Sequence, residues 1–448
     1  EEVHGLGSLL DVRGTLGDLF EDDSEQSGVQ ITLGDDPRED HTLGQILHSL
    51  REAVDQHREE DSFLAQDLRS FVRLLDVLAQ DYDVALMNPP YGSKKRMPDP
   101  IQEYIESHFD YYPNFYISFF EVCDELAKEG GRIGMLVPRT FMFLDSFEDF
   151  RSDFVGEEGG FDFLAEFGIG VLDNATVRTV GTVVRSEVSK NRSGAFVRLY
   201  DKESSLKEDT FSHTLSKQSD EIDRFFNIDL DEFASIPRTP ICYSTPAEVR
   251  SLYEEETLLD ADQADVQRDS AFYAVTGIIT SGINRFLRQH WEVQDENTFE
   301  PIAKGGESAW ILPQITKSVE WGEQGTTLKR SSDSIRTPNE ELYGDPGLTW
   351  TYIKDTGRRF GYYFGGLFSV TGMMIFPRDN TSLWKVMAIL NSDLYHSLFL
   401  SQTIERNWNP GEIGAVPWIN ELEEVDELEA LAKDQYQTML KQRVDDPI

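Results

Sequence analysis

The run Tyr82-Asp83-Val84-Ala85-Leu86-Met87 has strand length and stops against Asn88-Pro89-Pro90-Tyr91. No other stretch constrains the fold as tightly. Proline brings no N–H to a ladder, so a buried strand must end there. Downstream, strand-length apolar runs alternate with helical periods. "NFYISFFEVCDELAKEGG" (114–131) puts Phe115, Ile117, Phe119, Phe120, Val122, Cys123 and Leu126 in a largely buried helix, with Gly130-Gly131 as its C-cap. "RIGMLVP" is the next strand. A polar helix is predicted near 145–156, and "FDFLAEFGIG" and "TVGTVVRSEV" are two more strands. Near-continuous apolar strands separated by helices predict a mostly parallel α/β sheet.

The organisation follows from where this pattern holds. Residues 1–80 read as loop and then two helices, with Ile46, Leu47, Leu50 and Val54 on one face and Leu64, Leu68, Phe71, Val72 and Leu75 on another. Residues 81–190 carry the α/β pattern. Residues 191–250 are polar and read as a connector. Residues 251–418 hold all seven tryptophans, frequent glycine and many short β-like runs, with helical exceptions such as "SLWKVMAILNSDLYHSLFLS". That shift predicts a second, β-rich domain. Residues 419–448 read as an acidic helical tail.

Acidic residues number 82 against 41 basic ones, a net charge of -41, and they are spread along the whole chain. Lysine is scarce. Such a surface is similar to that of proteins from salt-loving organisms, where concentrated salt screens self-repulsion. An acidic protein that avoids nucleic acid is the other reading, and charge leaves both open. No apolar run reaches membrane-spanning length and no secretory leader is visible, so a cytoplasmic location is expected. Cys123 and Cys242 have no ligand-like neighbours and are expected to be buried, inert thiols. The eight histidines show no metal-like spacing, so no metal is expected.

A turn leaving the carboxyl end of a parallel strand is where such sheets place their chemistry. Asn-Pro-Pro-Tyr suits methyl transfer to an amine conjugated with an aromatic ring, whose delocalised lone pair makes it a poor nucleophile. The Asn88 side-chain carbonyl and the Pro89 backbone carbonyl can accept its two hydrogens. That favours a tetrahedral nitrogen whose lone pair points at a sulfonium donor, for in-line displacement. Pro89 and Pro90 fix the backbone, which is preorganisation. Tyr91 offers a flat face for an extruded base. An ordinary Asn/Pro turn is the bland alternative. The strand before it, and the helix and strand after it, favour the functional reading.

"DVALMNPPYG" resembles motif IV of amino-directed, adenine-specific DNA methyltransferases. "NFYISFFEVCDELAKEGGRIGMLVPRTF" and "FGIGVLDNATVRTVGTVV" are similar to the family's following blocks, with Asn114 where an acid is usual. "GIITSGINRFLRQHWEV" resembles the entry to the recognition region of type IIG enzymes. "AKGGES", "GLTW" and "LNSDLYHSL" are similar to the methyltransferases of BREX phage-defence systems, over about residues 5–418. The resemblance implies a partial Rossmann-like class I methyltransferase sheet followed by a target-recognition domain. It also implies S-adenosylmethionine as cofactor and double-stranded DNA as partner, with other phage-defence proteins as further candidates. Asn88, Pro89, Pro90 and Tyr91 match the catalytic motif.

Two departures bear on this. The family's Gly-rich donor loop and ribose-binding acid are not found in residues 1–82; "HGLGSLLD" follows no strand and is rejected. The chain therefore reads as the carboxyl-terminal portion of such an enzyme, inactive alone, whose upstream half would hold the cofactor. No second aromatic is seen near Leu172 and Ser186, where the family often stacks one.

Lys94, Lys95 and Arg96 are candidates for phosphates flanking the extruded base. Arg285, Arg288, Lys304, Lys329, Arg330, Arg358 and Arg359 are candidates for groove or backbone contacts. Singly, each is more often a surface ion-pair member. "TIERNWNPGEIG" (403–414) reads as a packing turn and Asp173 as a turn residue. Two other readings stay open: a non-catalytic DNA- or partner-binding subunit, and a methyltransferase acting on RNA or on a glutamine amide.

Overall fold

The computed structural model describes Glu52, most of 70–80, and 81–445 except 93–96, 154–159, 173–176, 186–191, 217–221, 256, 280–282, 294–297, 306–310, 333, 354–358 and 404–406. The helices expected across 43–75 fall largely outside these residues, although Val72 and Leu75 are buried as their spacing requires. Two compact units emerge. The first runs through Phe141 and resumes over 149–230; the second takes 142–148 and everything from Asp231.

The first unit is built on six strands: β1 (Tyr82–Met87), β2 (Ala127–Pro138), β3 (Gly160–Gly168), β4 (Thr179–Arg185), β5 (Ser193–Arg198) and β6 (Phe225–Asp229), in the order β1-β2-β4-β3-β5-β6. The α/β architecture holds, but the sheet is mixed rather than mostly parallel. β1/β2 and β3/β5 are parallel; β2/β4, β3/β4 and β5/β6 are antiparallel. The link from Gly168 to Thr179 is too short for a crossover, so β4 must return antiparallel beside β3. The polar stretch read as a connector supplies β5 and β6. Helix α1 (Asp99–His108) and helix α2 (Phe115–Leu126) follow β1, and α2 packs on β1 and β2 through Tyr116, Ile117, Phe120 and Cys123.

Three local expectations are corrected. Helix α2 ends at Leu126, where Ala127 turns extended; Gly130, at φ 73°, lies inside β2 at the register shift against β1 rather than capping the helix. The helix expected near 145–156 is short helical turns where it is described, and it is not simply solvent-facing: Phe147, Phe150 and Arg151 are buried. Finally, β1 is an edge strand. Val84 and Leu86 are 53% and 78% exposed, so its apolar run is not covered on both faces among the described residues.

The second unit contains two four-stranded sheets. One joins β7 (Phe272–Val275), β11 (Gly347–Thr351), β12 (Gly361–Tyr363) and β14 (Gly372–Pro377) in the order β12-β11-β14-β7. The other joins β8 (Leu287–Gln289), β9 (Phe299–Ala303), β10 (Lys317–Glu320) and β13 (Leu367–Phe368) in the order β8-β10-β9-β13. The β-rich expectation holds. The apolar helical stretch after 382 is two helices, α4 (Leu383–Leu390) and α5 (Asp393–Gln402), because Asn391 donates to the Phe360 and Met387 carbonyls while Ser392 caps α5. The helix between them and β5 in chain order, α3 (Lys207–Ser216), belongs to the first unit. The tail helix α6 (Glu427–Asp445) sets Tyr436 edge-on to Trp384 and Phe364.

Candidate functional site

The site sits where β1 ends. Asn88 is exposed, Pro89 buried, Pro90 exposed and Tyr91 half-buried. Asn88 lines a cavity of about 480 Å³, within the range of small-ligand sites. Leu86, Met87, Gly134 and Leu136 continue the wall across β1 and β2, and Phe163, Phe167 and Gly181 across β3 and β4. Glycine is needed at 181 because a Cβ there would stand 2.8 Å from the Phe167 ring.

The Tyr91 hydroxyl lies 2.8 Å from the Leu136 carbonyl and 3.2 Å from Asn88 Oδ1. It has one proton to donate, and the shorter contact takes it. Asn88 Oδ1 therefore keeps acceptor capacity. Among the described residues, no donor takes the Pro89 carbonyl. Burial holds the Tyr91 phenol above its usual range, so it stays a neutral donor. Its ring meets Tyr116 edge-on at 6.4 Å, and the Tyr116 hydroxyl bonds Thr140 Oγ1 at 3.0 Å. Gly92 accepts from the Phe115 N–H, tying the corner to the start of α2. Arg139 follows Pro138 at the end of β2 and pairs with Glu166 of β3 at 2.5 Å, both side chains 2% exposed. This buried pair clamps the end of β2 to β3.

Sequence reasoning singled out the corner but not the residues that continue the cavity along the sheet. Phe163 and Phe167 line the cavity, and the aromatic recurrence in "FDFLAEF" was the available signal. Leu172 is not among the described lining residues; Ser186, like Asp173, lies outside the described residues.

The basic candidates scatter. Lys94, Lys95, Arg96 and Arg358 lie outside the described residues. Arg359 is placed in the interior, 5% exposed, its guanidinium 3.8 Å from the Trp408 ring and donating to the Thr351 and Tyr352 carbonyls; it packs there rather than facing a groove. Lys304 is partly buried, and burial together with Lys317 lowers its pKa. Lys329 pairs with Glu340, and Arg330 is exposed. Arg285 and Arg288 are exposed on one short segment. Asn409 and Glu412 form a reciprocal helix cap in which Glu412 is buried, so 403–414 packs where it is described.

Cys123 and Cys242 are buried and free, with burial raising both thiols to about 12. Among the described residues no acidic, histidine and cysteine group is arranged to hold a metal, and no helix is long and apolar enough to cross a membrane.

With this geometry in place, comparison with known proteins shows what the chain is similar to. Residues 21–163 match the Eco57I restriction-modification methylase family. The chain is 26% identical over 457 residues to the adenine-specific methyltransferase BrxX of Escherichia coli O9:H4 (strain HS), covering 92% of this chain and 36% of the relative. It is 25% identical over 424 residues to the adenine-specific methyltransferase PglX of Lacticaseibacillus casei (strain Zhang), covering 89% of this chain and 34% of the relative. The chain thus spans about a third of the length of these relatives. A solved structure of the type IIL restriction-modification enzyme MmeI in complex with DNA is 9% identical, with a TM-score of 0.46 over 83% of this chain and 51% of that one. The resemblance to adenine-specific methyltransferases of the BREX kind is borne out.

S-adenosylmethionine, which the resemblance implies, does not fit the described residues. The cavity wall is apolar apart from Asn88 and Thr182 and holds no carboxylate for a ribose.

Proposed function

We propose that this chain supplies the amine-positioning corner and the target-recognition domain of an adenine-specific DNA methyltransferase. The methyl donor would be S-adenosylmethionine, held mainly by a polypeptide outside the described residues. The setting would be a cytoplasmic restriction-modification or BREX phage-defence system. The observation that carries this reading is the Asn88–Pro89 corner at the carboxyl end of a parallel strand pair: two acceptors, both with free capacity among the described residues, of which Asn88 lines an open cavity of about 480 Å³.

The residues' work is positional. Asn88 Oδ1 and the Pro89 carbonyl each accept one hydrogen of the exocyclic amine. Drawing both hydrogens to one side weakens conjugation with the ring and leaves the nitrogen lone pair on the other side. Carbonyls held by Pro89, Pro90 and the Tyr91–Leu136 bond need no reorganisation as charge develops. Tyr91 gives the base an aromatic face.

The test is transfer of a labelled methyl group to duplex DNA, RNA and protein, with calorimetry of S-adenosylmethionine on the chain alone and with the donor-binding polypeptide added. The expected result is no donor binding alone, and restored binding and methylation of duplex DNA on addition. Methyl transfer only to RNA or protein, or none with both polypeptides present, would overturn the reading.

A further inference from the structure

Trp291 is 78% exposed, although tryptophan is the side chain that gains most from burial. Its backbone is nevertheless held firmly. It sits in the turn His290–Glu292, where Glu292 Oε2 accepts the Gln289 N–H at 2.8 Å in a reciprocal cap. His290 adds two anchors, bonding Ser318 Oγ through Nδ1 at 3.1 Å and the Ile315 carbonyl through Nε2. The indole is therefore presented on a fixed mount.

Two exposed arginines precede it on the same short segment. Several arginines elsewhere are paired with carboxylates: Arg132 with Asp162, Arg224 with Asp201, Arg250 with Glu232, Arg378 with Asp260 and Asp262. Arg285 and Arg288 have no carboxylate partner among the described residues, in a chain with two acids for every base. Their guanidiniums lie over Phe286 and Phe299 at 4.4 and 6.0 Å, and Arg288 Nη1 is fixed by the Arg285 and Leu287 carbonyls. Both arginines are exposed, so these cationic heads rest on aromatic rings at the surface.

We infer that Trp291 stacks against a base of duplex DNA, entering a base step while Arg285 and Arg288 meet the flanking phosphates. This rests on the proposed DNA reading and adds to it a stacking residue. A flat aromatic face is sequence-tolerant because every base has a π-face, and apolar side chains inserted at base steps partially unstack them. A single preorganised wedge with two unneutralised cations beside it suits a polyanion of stacked rings.

The experiment is binding of a mixed-sequence DNA duplex by the full chain over a series of salt concentrations, with Trp291→Ala, Trp291→Phe and Arg288→Gln compared. Trp291→Ala is expected to weaken binding by on the order of tenfold at every salt concentration. Trp291→Phe should restore most of that loss. Arg288→Gln should instead reduce the slope of log affinity against log salt by about one. If the wild-type chain binds duplex but Trp291→Ala binds as well as it does, the stacking role is overturned and the DNA reading stands. If Trp291→Ala changes the salt slope as Arg288→Gln does, the wedge is likewise overturned. If the wild-type chain binds no duplex, both readings fall.

Discussion

Replacing Arg139 by Met should weaken the first unit severely while leaving the second untouched. Arg139 and Glu166 are both 2% exposed and meet at 2.5 Å, linking the end of β2 to β3. Removing Arg139 takes the guanidinium from a buried carboxylate, and breaking such a pair costs about 3–5 kcal/mol; replacing both by apolar groups of similar volume is often neutral. With a urea m-value of about 2 kcal/mol/M, the midpoint of the first unit should fall by about 1.5–2.5 M. The double variant Arg139→Met/Glu166→Leu should recover most of this. The two units can be read separately, because all seven tryptophans lie at 291 or beyond, within the second unit. Far-ultraviolet dichroism should show the early transition of the first unit while the tryptophan-emission transition stays in place. A single variant that shifts the dichroism midpoint by less than about 0.5 M, or a double variant no better than the single one, would refute the clamp.

Other outcomes follow from the same coordinates. Asn88→Ala should lower methyl transfer by at least about 100-fold in the enzyme supplied with its donor-binding polypeptide, with duplex affinity nearly unchanged; a matching loss of affinity would contradict an amine-orienting role. Glu412 is raised from 4.5 to about 7, chiefly by burial, against the bonds from Asn409 that lower it. The folded second unit therefore holds a proton there that the unfolded chain releases near the ordinary value. Its stability should fall as pH rises from about 4.5 to about 7 and level off above, and Glu412→Gln should flatten that slope in tryptophan-monitored urea titrations. Ser392 accepts the Tyr395 N–H at the start of α5, so Ser392→Ala should cost the second unit about 1 kcal/mol, read by the same emission.

Much of this protein was legible in one dimension because the signals are local. The stop after Met87 follows from proline's missing N–H, and the β-rich character of the second unit from its short runs and turn residues. The resemblance carried by Asn-Pro-Pro-Tyr and the blocks after it also needed no coordinates. What depended on tertiary structure was everything set by neighbours distant in sequence. Whether Val84 and Leu86 are covered depends on what lies beside β1, and strand composition does not record that. The antiparallel return of β4 and the recruitment of 193–198 and 225–229 to the sheet are pairing choices among strands of similar propensity. Arg359 and Arg285 look alike as letters; only packing puts one against Trp408 in the interior and leaves the other at the surface. Likewise Phe167 becomes a cavity wall only because Gly181, on the neighbouring strand, has no side chain to push it aside.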